Sequence, residues 1–185
     1  VRKLGAISAI SVLASTILIG GALAQQPATA TPAVAPPANT LVKEAETNYM
    51  RVKANIQKSA DKMPAEDYSF KPTPDIRTFA RVVNHVTEAQ MHVCGAINQS
   101  KTPDTPPETA DKATIVAALN ASFAECDKAY ASTTDANMTE MVQAGPAKRS
   151  RLGMLWGNAS HDNEQYATLA LYMRLKGLVP PSSEK

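Results

Sequence analysis

Residues 159–181, ASHDNEQYATLALYMRLKGLVPP, decide the fold. With the residues just before them they place Leu152, Leu155, Ala159, Tyr166, Leu169 and Met173 at the three-and-four spacing of one helix face. Gly177 stands where a left-handed cap closes a helix, and Pro180-Pro181 forbid continuation. The spacing predicts a helix over 149–176 whose apolar stripe faces a bundle interior. His161 and Gln165 are four residues apart, so they project from one face, one turn above the other. Glu164 lies close to that face. Any chemistry carried by this helix is expected to face the interior.

Three earlier segments repeat the helical period. Leu41, Ala45, Tyr49, Val52, Ile56 and Ala60 predict a helix over 41–62, ended by Met63-Pro64. Ile76, Phe79, Val83, Val86, Gln90, Val93 and Ile97 predict a second over 76–99, with Asp75 as its N-cap. Ile115, Leu119, Phe123, Cys126 and Tyr130 line a third over 112–132. Tyr68 and Phe70, in the proline-rich loop before the second helix, are expected to fold back onto the bundle end. Residues 133–148 read as a polar connection with a short docked turn near 137–142. Trp156 reads as a packing residue. No strand pattern and no internal repeat is visible, so the expected class is all-α, a four-helix bundle.

Composition agrees with closely packed helices: hydrophobic residues make up 44% of the 185 and aromatics 5%. Residues 1–24 read as a secretory signal, with Arg2 and Lys3, an uncharged apolar run from Leu4 to Ile19, and Ala22-Leu23-Ala24 as a small-x-small cleavage site. The alternative is an uncleaved membrane anchor of similar length. Cleavage predicts an exported protein, periplasmic or extracellular, with no membrane contact afterwards. It also removes two of 19 basic residues, leaving 17 against 17 acids. A near-neutral chain has no nucleic-acid footprint. Residues 25–40, QQPATATPAVAPPANT, read as a proline/alanine/threonine linker, and the bundle as 41–183. No nucleophile triad, phosphate loop or nucleotide fingerprint appears. A dimer is not legible from the sparse outer apolar residues.

His85 lies beside the apolar stripe of the second helix. His85, His161 and Gln165 form a three-ligand face from two helices, the arrangement by which bundles build metal sites. Three protein ligands leave an open position, as catalytic zinc requires. An amide oxygen is a weaker ligand than imidazole, and Glu164 is the alternative third donor. The competing reading makes both histidines hydrogen-bonded core residues.

The segment 161–183, HDNEQYATLALYMRLKGLVPPSS, resembles the last helix of DinB-like proteins, the bundle family that includes the YfiT-type proteins. Tyr172, Arg174, Leu175, Gly177, Val179, Pro180 and Pro181 match its ending. Residues 63–90 resemble its second-helix entry, with His85 at its first metal histidine, and 122–130 its third helix. The resemblance implies an up-down-down-up bundle holding zinc or nickel on three histidines, with relatives that are thiol-dependent transferases or isomerases. Carried over residue by residue, the set is His85, His161 and Gln165, the last in place of histidine. Two functions follow as expectations. One is a metal-dependent hydrolase or transferase of an unknown small molecule with a weakened site. The other is a non-catalytic binding or envelope-stress module without metal. In that topology the second and third helices run parallel and bring Cys94 and Cys126 to similar heights, where they form either a disulfide or two buried thiols.

Overall fold

The computed structural model describes residues 40–101 and 103–185. The signal segment and nearly all of the linker lie outside the described residues. Four helices carry the architecture: α1 (Thr40–Lys62), α2 (Phe79–Asn98), α3 (Lys112–Ala131) and α4 (Arg151–Leu175). Their inner stripes form one core, with Tyr49, Val52, Ile56, Phe79, Val83, Leu119, Phe123, Leu155, Leu169 and Met173 buried. None of these helices is long and apolar enough to cross a membrane.

Cross-helix contacts fix the directions. Gln90 meets Ser122 and Cys94 meets Cys126, so α2 and α3 run parallel. Tyr49 bonds Asp127 while Gln57 bonds Asn120, which makes α1 antiparallel to α3. His85 meets His161 while the Tyr172 hydroxyl reaches the Arg77 carbonyl, which makes α4 antiparallel to α2. The Cys94–Cys126 disulfide, with Cα atoms 4.9 Å apart, joins the parallel pair and leaves no free cysteine among the described residues.

Helix ends follow side-chain chemistry. Thr78, not Asp75, caps α2: its hydroxyl accepts from the Arg81 N–H at 3.0 Å. The helix therefore begins three residues later than the apolar spacing predicts, and Ile76 stays outside it, 41% exposed. The carbonyls of Tyr68 and Phe70 accept from Ala80 and Phe79, tying the preceding loop to the first turn. Tyr68 is buried and donates to the Ala60 carbonyl; Phe70 packs edge-on against Tyr172. At the far end of α4, Gly177 adopts φ +75° and Leu178 N–H bonds the Met173 carbonyl, a Schellman closure.

A β-hairpin replaces the polar connection expected before α4. β1 (Met141–Ala144) pairs antiparallel with β2 (Ala147–Ser150), Val142 opposite Arg149 and Ala144 opposite Ala147. Gly145 at φ +58° followed by Pro146 makes the two-residue turn. Val142 and Ala144 pack against the core. Trp156 is also corrected: one step off the buried stripe, it is 55% exposed.

Candidate functional site

The bundle brings His85 and His161 together across α2 and α4. Their Nε2 atoms are 3.1 Å apart and the rings are nearly perpendicular, although 76 residues separate them in the chain. Both rings are about three-quarters buried, at 27% and 28% side-chain exposure. Each ring turns its other nitrogen toward a carboxylate. Glu88 Oε2 lies 3.7 Å from His85 Nδ1 and Asp162 Oδ1 lies 3.8 Å from His161 Nδ1. Carboxylates behind both Nδ1 atoms favour the tautomers with Nδ1–H and a lone pair on Nε2. Two lone pairs facing each other at 3.1 Å repel unless a proton or a cation lies between them.

The two carboxylates are held differently. Glu88, half exposed, takes a bidentate pair of bonds from Arg81 at 3.0 Å each. Asp162 has no exposure at all. Its Oδ2 accepts from Gln90 Nε2 at 3.1 Å and more weakly from Asn158 Nδ2 at 3.4 Å. Gln90 is itself oriented by the Ser122 hydroxyl, which donates to Gln90 Oε1 at 3.0 Å. A buried polar chain thus runs from α3 through α2 to α4. It ends on Asp162 Oδ1 and His161 Nδ1, which have no hydrogen-bond partner among the described residues and face each other. Burial pushes the Asp162 carboxyl above the usual carboxylate range. His85 is held below the ordinary imidazole value, first by burial and then by the Arg77 charge. It is therefore neutral at pH 7, the form in which imidazole binds metals.

Gln165, one turn beyond His161, lines an open recess of about 460 Å³ with Ile76, Arg77, Thr168, Leu171 and Tyr172. Glu164 is exposed. Among the described residues no group of three or more His, Cys, Asp or Glu side chains is placed to hold a metal ion. The pair itself passes a simple test of fit. Two nitrogens bound to one zinc at about 2.0–2.1 Å are roughly 3.3–3.4 Å apart at the tetrahedral angle, within a few tenths of an ångström of the 3.1 Å at which the histidines already stand.

Asp162 is the residue that sequence reasoning missed. Its signal was present: it continues the stripe Leu155, Ala159, Tyr166 and Leu169, where a carboxylate must be buried. Gln90 carried the same signal on α2.

Comparison with known families and structures bears on the fold. The sequence profile of the DinB superfamily matches residues 49–169. A DinB-like protein from Bacillus cereus superposes with a TM-score of 0.64 at 20% identity, covering 75% of this chain and 95% of that one. A conserved protein from Enterococcus faecalis superposes with a TM-score of 0.60 at 15% identity, covering 72% and 95%. No curated protein sequence matches the chain.

Proposed function

We propose that the chain, which belongs to the DinB superfamily, is an exported metal-binding protein with a weakened site, acting on a small molecule as a hydrolase or transferase. His85 and His161 are the principal ligands and Gln165 supplies the third, neutral donor. The observation that carries this reading is the pair of Nε2 atoms 3.1 Å apart, each ring backed by a carboxylate. A divalent ion such as zinc or nickel, when bound, supplies Lewis acidity toward an oxygen or sulfur donor of the substrate. The protein's own part is to hold the two imidazoles in register and to favour Nδ1–H through Asp162 and Glu88, one helical turn from the recess that Gln165 lines.

Replacing a third imidazole by an amide oxygen weakens the set for zinc and nickel. Export is supported by the signal pattern of residues 1–24 and by the Cys94–Cys126 disulfide, since disulfides persist in oxidising compartments. Low-molecular-weight thiols of the cytoplasm are then poor co-substrates, which favours hydrolysis over thiol transfer.

A second reading, a non-catalytic bundle without metal, rests on Gln165 lining the recess rather than bonding either histidine. Zinc titration against a competing chromophoric chelator separates the two. The first reading predicts one site per chain, lost in His161→Ala and tightened at least about tenfold in Gln165→His. No zinc binding by the parent chain and no gain in Gln165→His would leave the second.

A further inference from the structure

We propose that the recess between the entry to α2 and the outer face of α4 binds the carboxylate of a small organic monoanion through Arg77, with the anion's apolar body against Ile76 and Leu171. This deepens the metal-site reading by naming its substrate class. The first observation is electrostatic. Arg77 lines the recess and has no ion-pair partner among the described residues, whereas Arg81, one turn on, is tied to Glu88 by two bonds of 3.0 Å. An unpaired guanidinium fork at the wall of a cavity is a ready partner for a planar carboxylate.

The second observation is that the wall is fixed. The Tyr172 hydroxyl donates to the Arg77 carbonyl at 2.8 Å, and Thr78, the next residue, caps α2. Arg77 is therefore anchored in backbone at the recess wall. The third is apolar surface beside this charge: Ile76, from the segment before α2, is 41% exposed and Leu171, on α4, is 53% exposed, and both line the recess. A volume of about 460 Å³ suits a small ligand. Asp75 also lines the recess, and its charge disfavours a second negative charge on the ligand, which selects a monoanion over a dianion.

The recess adjoins the histidine pair. Val82 in its wall is three residues before His85, and Gln165 is four residues after His161, so both are one helical turn from a ligand. Arg77 is close enough to His85 for its charge to act on that imidazole.

The test is an NMR titration of the full chain, ¹⁵N-labelled and freed of metal with chelator, using benzoate as the probe. Saturable shifts of the Gln165 side-chain amide and the Arg77 Nε–H are expected, with affinity falling about tenfold in Arg77→Gln. Lys148→Gln removes an equal charge from the hairpin and should leave the affinity unchanged. Leu171→Ser should weaken benzoate but not acetate. Benzamide, the neutral isostere, and inorganic phosphate should both bind more weakly than benzoate. Equal affinity in Arg77→Gln, equal binding of benzamide, or no saturation would overturn the assignment. Because the protein is metal-free, benzoate binding in a chain that takes no zinc would remove the metal reading and leave this one standing.

Discussion

Asp162→Asn is the substitution that best isolates what the buried polar chain does for the site. The change is isosteric, so packing around a fully buried side chain is preserved. The bond from Gln90 Nε2 at 3.1 Å survives if the new amide turns its oxygen toward Gln90. That orientation places an N–H donor 3.8 Å from His161 Nδ1, where the parent protein has a carboxylate oxygen. His161 is then driven to the tautomer with Nδ1 as acceptor and Nε2–H, which removes the lone pair facing His85. Loss of a carboxylate that orients a metal-binding histidine typically costs about 10–100-fold in metal affinity, or about 1.4–2.7 kcal/mol. Fold stability should hold or rise, since a buried amide is less costly than a buried carboxylate. Zinc affinity by chelator competition, the urea midpoint and the His161 ring ¹⁵N shifts in metal-free protein are the assays. A folded Asp162→Asn protein that keeps the parental tautomer and binds zinc within twofold of the parent would refute the reasoning.

The remaining expectations concern the scaffold. The Cys94–Cys126 bridge closes a separation of 32 residues, which by loop entropy stabilises the fold by about 3–4 kcal/mol. Unfolded, unreduced protein should show no reactive thiol, and reduction should lower the urea midpoint accordingly; two reactive thiols would exclude the bridge. Glu125 accepts from the Ser100 hydroxyl at 2.6 Å and from the Asn98 amide at 2.8 Å, joining α3 to the end of α2. These bonds hold its carboxyl below the usual range, Ser100 contributing most. A lowered folded-state value means stability that is present above the unfolded-state pKa of about 4.3 and lost as pH falls through the folded value. Ser100→Ala should therefore cost about 1–3 kcal/mol at pH 7, a gap that closes in acid. A gap unchanged at pH 3 would show that the carboxylate is not its source.

Much of this molecule is written in its periodicity. The stripes of α1, α3 and α4 bury most of the residues that their three-and-four spacing selects, such as Tyr49, Leu119 and Leu169, because burial of one helix face is the dominant favourable term; Leu41, in the first turn of α1, is instead 57% exposed while its neighbour Val42 is buried, and Leu152 is half-buried. The start of α2 was less legible. Asp75 and Thr78 are both competent caps, and the choice is made by the carbonyls of Tyr68 and Phe70, which accept the first N–H groups of the helix. The hairpin was obscured because each strand is four residues long and buries little. Gly145-Pro146 was its one strong local signal. At the site, helical spacing put His161 and Gln165 on one face, but no local rule brings His85 to 3.1 Å from His161; that is a product of the antiparallel packing of α2 on α4. The role of Asp162 lay in a position rather than a motif, a carboxylate on a stripe that is otherwise apolar.

In the proposed function His85 and His161 bind one metal ion through Nε2. X-ray absorption spectroscopy at the zinc edge, on zinc-loaded protein passed through gel filtration, tests it most directly. About one zinc per chain is expected, with imidazole scattering from two nitrogens at about 2.0–2.1 Å, both reduced in His85→Ala and His161→Ala. Zinc that does not survive gel filtration, or that shows no imidazole contribution, would contradict it and make the pair a hydrogen-bonded feature of the core.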